Sequence, residues 1–308
     1  MKKVFKLVAA SLLTLSVLPS VAHAAEKKFT VGYANLADTD VFTMSRKTAF
    51  IATAKADPNL KVMFSDANGD ISKQLDQIDN FIAQKVNAII VVPADYQGIV
   101  PGVEKANKAG IPVIALGIQS AGGQYTFVGS KNLDAGRLQG EFMRDKLPKN
   151  AQIVYLQGTP GLSHSKERLE GFTKSLQEKR KDVKVLASLP GNYDRAEGMK
   201  ITEDWVQRYP KFDAVIAAND QMALGALQAL KGAGRLKGVM VSGIDGTSDA
   251  LNAIKKGEMS QSIFQNAKGQ AQGAYKVVET IKSGKPAPKE VLIPFESIDQ
   301  KNVAKYMK

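Results

Sequence analysis

Two patterns of apolar and polar positions alternate along the chain. Short β-branched and apolar runs, Phe29 to Tyr33, Ala88 to Val92, Val113 to Leu116, Ile153 to Leu156, Ala214 to Ala217 and Val239 to Val241, read as strands buried on both faces. Between them, apolar residues recur at helical spacing near Thr43 to Ala56, Ile71 to Gln84, Val100 to Ala109, Ala135 to Lys146, Lys166 to Glu178, Ala196 to Gln207 and Met222 to Gly232. The segment Ala109-Gly110-Ile111-Pro112 ends one helix on a left-handed glycine and opens the next strand, and Gly232-Ala233-Gly234 ends another helix similarly. Alternation of this kind predicts a doubly wound α/β architecture with parallel sheets.

In open parallel sheets ligands sit at the carboxyl ends of strands. The residues just beyond the apolar runs are therefore the candidates for function: Asn35, Asp38, Thr39, Asp40, Asp95, Gly117, Ile118, Gln119, Asn219, Asp220, Asp245 and Gln265. Several chemistries lack their residues. Gly232, Gly234 and Gly238 close a helix instead of opening one, so they form no dinucleotide fingerprint. Beyond the leader His164 is the sole histidine and cysteine is absent, which nearly excludes metal sites and His-dependent nucleophiles. Asp38 and Asp40 could form a carboxylate pair for glycoside chemistry, or could cap the helix that follows.

The chain opens with Lys2, Lys3 and Lys6, an apolar run from Leu7 to Leu18, Pro19 and the small-residue site Ala22-His23-Ala24. This pattern predicts a signal peptide over residues 1–24, cleaved after Ala24. The run, at about 12 residues, is short of the ~20 needed to cross a bilayer. Without cysteine there is no thiol for a lipid anchor, so the expectation is a freely diffusing protein of a Gram-negative periplasm. The net charge of +12 falls to +9 without the leader's three lysines. Because the lysines are scattered over amphipathic segments, with no arginine-rich run, a solvated basic surface fits better than nucleic-acid binding.

Three stretches carry a family resemblance: Ala88 to Asp95 (AIIVVPAD), Ala214 to Gly225 (AVIAANDQMALG) and Val241 to Thr247 (VSGIDGT). With them the chain resembles, from Phe29 to Lys308, the ribose-type periplasmic sugar-binding proteins of ABC transporters. The resemblance implies two doubly wound α/β lobes joined by a three-strand hinge, with crossings near Ser130 to Asn132, Gln265 and Pro294. The N-terminal lobe would comprise residues 25–130 and 266–293, and the C-terminal lobe residues 131–265 and 294–308. It also implies a ligand set. In the C-terminal lobe Arg168 would donate a guanidinium fork, Asn219 an amide, Asp245 a carboxylate accepting from two hydroxyls, and Tyr193 an aromatic face, with Gln265 at a hinge crossing.

The N-terminal lobe departs from the ribose pattern. Gly117 and Ile118 stand where ribose receptors have an aspartate and an arginine, Val92 replaces an asparagine, and Val41 replaces one of two aromatics, leaving Phe42. Asp38, Thr39 and Asp40 add polar groups on the first loop, Asn35 holds a strand-end contact position, and His164 and Gln119 are within reach of the cleft. Gly117 leaves room for a ring larger than a furanose. The expected ligand is therefore myo-inositol, a related polyol or a hexopyranose, ahead of ribose. The expected partner is an inner-membrane ABC permease, with a chemoreceptor also open, and the expected state is a monomer without cofactor. A repressor core would need a DNA-binding headpiece where the leader stands. A secreted sugar-modifying enzyme and a receptor serving chemotaxis alone are the remaining alternatives.

Overall fold

A run without polar residues is accommodated best in mid-sheet, covered on both faces, and the chain puts its apolar runs there. A computed structural model describes residues 28–307; the leader and its cleavage site lie outside the described residues. The first sheet takes β1 (Phe29–Asn35), β2 (Leu60–Asp66), β3 (Ala88–Val91), β4 (Val113–Leu116) and β5 (Thr126–Gly129). The second takes β6 (Gln152–Gln157), β7 (Lys184–Pro190), β8 (Ala214–Ala217), β9 (Met240–Asp245) and β10 (Gln261–Phe264). After these, β11 (Glu290–Leu292) returns to the first sheet and β12 (Glu296–Ile298) to the second. The strand orders are β11-β5-β4-β3-β1-β2 and β12-β10-β9-β8-β6-β7, so the two sheets repeat one plan. Every pairing is parallel except β10 with β12.

Nine helices connect the strands among the described residues: α1 (Val41–Ala54), α2 (Ile71–Ala83), α3 (Val100–Lys108), α4 (Asn132–Lys146), α5 (Ser163–Phe172), α6 (Arg195–Arg208), α7 (Asp220–Gly232), α8 (Ser248–Lys255) and α9 (Ala267–Lys282). The helix expected over Lys166 to Glu178 is α5 continued by a π turn, Thr173–Gln177. Side chains alternate across each strand, so each sheet feeds two cores. In the first, Val31, Tyr33 and Ile90 pack with Ala271 and Val277 of α9. On its other face Ile89 and Val91 meet Ile78, Phe81 and Val103 of α2 and α3. In the second, Val154 and Val215 meet Trp205 and Met222, while Ile153, Tyr155 and Ile216 meet Met143 and Phe172.

The chain passes between the sheets three times, after β5, after β10 and after β11. The carboxyl ends of both sets of strands face one cleft. A pair of glycines sets one wall: a Cβ on Gly136 would stand 1.9 Å from the Arg168 carbonyl, and one on Gly171 2.1 Å from that of Leu133. With no side chain at either position, α4 and α5 approach backbone to backbone. This brings Arg168 of α5 to the first residue of α4, where its Nε donates to Asn132 Oδ1 at 3.1 Å.

Candidate ligand-binding site

The cleft holds a cavity lined from both lobes and from the passages between them. Of the residues singled out in the sequence, Asp40, Phe42, Gly117, His164, Arg168, Tyr193, Asn219, Asp245 and Gln265 line it. Asn35 does not. It is buried at the end of β1, but its Nδ2 donates to Asp38 Oδ1 at 2.7 Å, so the amide is turned into its own loop. Val92 lies in the hydrophobic core, and Gln119 is not among the lining residues.

The first wall is built at the start of α1. Asp40 caps that helix, its Oδ1 accepting from Thr43 N at 2.7 Å, and so keeps Oδ2 for the cavity. Asp38 is engaged by Asn35 and by Lys47 Nζ, and the Lys47 and Asn35 hydrogen bonds hold its carboxyl below the usual range despite partial desolvation. The two aspartates thus serve different partners. One turn beyond Phe42, on the same helix face, stands Arg46, only 2 % exposed. Its guanidinium carbon lies 5.5 Å from the Phe42 ring centroid.

Arg46 corrects the reading of Gly117. The glycine has φ +78°, and a Cβ there would sit 1.8 Å from Arg46 Nη1. The room it leaves is therefore filled by a guanidinium of the protein and not by the ligand ring. The wall that looked stripped of charge in the sequence carries a cation delivered from another element. The spacing of Phe42 and Arg46 was the available signal, since four residues apart on a helix share a face. Ile118, a strand-end candidate, also lines the cavity, and Leu36, Thr43, Asn132 and Leu162 complete the lining that strand-end reasoning had not assigned to contacts.

The opposite wall is stiffer. Arg168 is 4 % exposed and donates from Nε to Asn132, from Nη1 to the Ala218 carbonyl (2.6 Å) and from Nη2 to Gln265 Oε1 (3.0 Å). It thus clamps two of the three passages. Tyr193 follows Asn192 in a left-handed turn (φ +62° and +54°) that swings its ring into the cleft. There it stacks on His164 at 5.0 Å and its hydroxyl pairs with Ser165 Oγ at 2.8 Å. Burial pushes the Tyr193 hydroxyl up to about 12, so it stays a neutral donor. His164 keeps some surface towards the cavity, but its Nδ1 is buried without a partner. Burial, with Arg168 and Arg46 nearby, holds its pKa well below 6.5 and the ring neutral.

Asn219 lines the cavity, but its amide also serves the protein: Oδ1 caps α7 through Met222 N at 3.0 Å, and Nδ2 donates to the Tyr193 carbonyl at 3.1 Å. Asp245 ends β9 with φ +134°, a conformation almost reserved for glycine, which marks a side chain held in place against backbone strain. Buried Asp220 holds the following turn, accepting from Thr247 N (2.8 Å) and from Ser262 Oγ (2.6 Å). Asp245 itself is 7 % exposed; burial raises its pKa well above the usual carboxyl value, offset in part by Arg168. No cluster of His, Cys, Asp and Glu suited to a metal ion occurs among the described residues.

Two α/β lobes whose strand ends enclose one cavity, lined with carboxylates, guanidinia, amides and aromatic faces, define a two-lobed receptor for a small polar solute. A family model for the periplasmic binding protein domain matches residues 31–286, and the chain belongs to that family. It is 34% identical over 277 residues to the ribose import binding protein of Bacillus subtilis, covering 90% of this chain and 89% of that protein. It is 33% identical to a putative rhizopine-binding protein of Rhizobium meliloti, covering 94% of this chain and 96% of that protein. Among solved structures, an ABC transporter solute-binding protein of Bacillus halodurans with bound myo-inositol superposes with a TM-score of 0.87 at 33% identity, covering 92% of this chain and 99% of that chain. Such proteins are periplasmic receptors that bind sugars or polyols for ABC transporters.

Proposed function

We propose that the chain captures a neutral cyclic polyol or pyranose, with myo-inositol ahead of hexoses and both ahead of ribose, by closing its lobes, and delivers it to an ABC importer. The observation that carries this reading is the composition of the cavity. Carboxylates at Asp40 and Asp245 accept from ring hydroxyls, a guanidinium donates to ring oxygens, and Phe42 and Tyr193 supply apolar faces. A polyhydroxylated ring has hydroxyls around its rim and an apolar face, and it satisfies all three. The myo-inositol bound by the Bacillus halodurans protein supports the choice of ligand.

The proposal extends to the surroundings of the site. Lobes of residues 25–130 with 266–293 and 131–265 with 294–308 move about the three passages as a hinge. The mature protein, beginning at Ala25, works as a periplasmic monomer whose closed form engages the permease, and a chemoreceptor can use the same form. Because Asp38 and Asp40 are engaged separately, the ligand is released chemically unchanged. The test is calorimetry of the purified protein with myo-inositol, glucose, allose and ribose, followed by recovery of the ligand. Binding of myo-inositol with intact recovery is expected; preference for ribose, or conversion of the ligand, refutes the reading.

A further inference from the structure

Two guanidinia reach the cavity, and the protein treats them differently. A guanidinium has five N–H groups. Arg168 directs one from each of its three nitrogens to protein acceptors, and is thereby fixed as part of the frame. Arg46 directs only one, from Nη1 to Gln270 Oε1 at 2.9 Å. Its Nε and Nη2 are buried with no hydrogen-bond partner among the described residues. Buried donors are normally satisfied, and an orphaned pair on a cavity wall is the arrangement expected of groups whose partner is the ligand. The surroundings bear on it: Gly117 omits the side chain that would displace Nη1, Phe42 lies along the guanidinium, and the buried Tyr33 hydroxyl, itself without a partner among the described residues, stands beside the guanidinium. Gln270, which holds Nη1, itself donates to Ser130 Oγ at 3.0 Å, at the first passage between the sheets.

We propose that Arg46 is the specificity-determining donor of the first wall, giving Nε–H and Nη2–H to two adjacent hydroxyl oxygens of the ring, a role the resemblance had assigned to Arg168. This rests on the polyol reading above and adds the residue that selects the ligand and the part of the ligand it selects. Adjacent oxygens match the fork of a guanidinium, which lysine cannot reproduce. Burial disfavours the charge on Arg46, and Tyr33, Asp40 and Asp245 offset this through space. With Arg168, Arg46 and the two aspartates make a cleft of two cations and two carboxylates, so a neutral diol suits it better than a carboxylate ligand. The contact also reaches the hinge, because the ligand, Arg46, Gln270 and Ser130 form one hydrogen-bonded series.

The test pairs variants with altered ligands. Affinities of the wild type, Arg46→Lys and Arg46→Met are measured by calorimetry for myo-inositol and its monodeoxy analogues, with a melting curve of each unliganded protein. Both variants are expected to bind myo-inositol about tenfold or more weaker. The hydroxyls facing Arg46 are identified by coupling: deleting one costs the wild type about tenfold and either variant less than about twofold. A structural role would lower the melting temperature and weaken all ligands alike. Wild-type binding with equal losses for every analogue overturns the assignment of Arg46 alone, whereas a wild type that binds none of the polyols overturns the functional reading and this inference together.

Discussion

Replacing Asp245 by Asn should move affinity and stability in opposite directions. Its carboxylate is buried and its side chain accepts no hydrogen bond from another side chain among the described residues, so in the closed receptor it is available to ring hydroxyls. A hydrogen bond to a charged group contributes about 1.5 to 3 kcal/mol, and 1.4 kcal/mol is tenfold in affinity, so binding should weaken by roughly 10- to 150-fold. Asn is close to Asp in size and shape, so the substitution changes charge more than packing. In the unliganded protein the same burial penalises the charged form and raises the pKa. A folded-state pKa above the ordinary value means that the cost of ionisation is present at neutral pH and disappears as pH falls below about 4. The variant should therefore melt at the same temperature as the wild type or higher at pH 7, with the advantage lost near pH 4. Calorimetric titration with myo-inositol and scanning calorimetry at both pH values test this. An affinity within twofold of wild type, or a melting temperature several degrees lower at pH 7, would refute the assignment.

Gly117→Ala should disrupt the first wall from within: its Cβ meets Arg46 Nη1 and adopts a positive φ, for a combined cost of about 2 to 4 kcal/mol and a loss of binding of tenfold or more by titration. For His164, held neutral by a pKa well below 6.5, the folded state binds fewer protons than the unfolded one. Its contribution to stability is complete above pH 6.5 and is lost on acidification, so His164→Asn should flatten the fall in melting temperature between about pH 7 and 5. Asp245 and Glu167, whose pKa values are raised by burial, act with the opposite sign in both proteins and cancel in the comparison.

The strands legible in the sequence, β1, β3, β4, β6, β8 and β9, are those with both faces covered, because an uninterrupted apolar run has no other reading. Edge strands lacked that signature. Lys61 and Lys184 interrupt β2 and β7, where one face is open to water, and β10 carries the buried polar pair Gln261 and Ser262, which bond to other side chains. The same division runs through the site. Asn219 and Asp245 stand at the ends of buried strands, where pattern and position agree. Arg46, followed by Lys47 in mid-helix, looks in sequence like any solvated basic pair, and only the absence of a side chain at Gly117 shows why it turns inwards. Asn35 shows the opposite limit: a strand-end position can be filled by a group that completes its own loop.

Closure in such a receptor has to be favoured by the ligand more than by the protein alone. Some of the closed arrangement is intrinsic. Leu162, from the loop before α5, belongs to the buried cluster of the first lobe with Ile118, and Tyr96 N donates to the Gly161 carbonyl across the cleft at 3.1 Å. Burying a leucine is worth about 1.5 to 3 kcal/mol. Against this, the two orphaned donors of Arg46, the carboxylate of Asp245 and the unpaired Nδ1 of His164 are buried in the enclosed cleft. Unsatisfied buried polar groups cost about 1 to 3 kcal/mol each, enough to offset the leucine and hold the empty lobes near balance. A ring whose hydroxyls supply partners to Arg46 and Asp245 removes these costs only in the closed state. That differential is what a ligand needs to shift the population, and it ties selection of the solute to the conformation that an importer recognises.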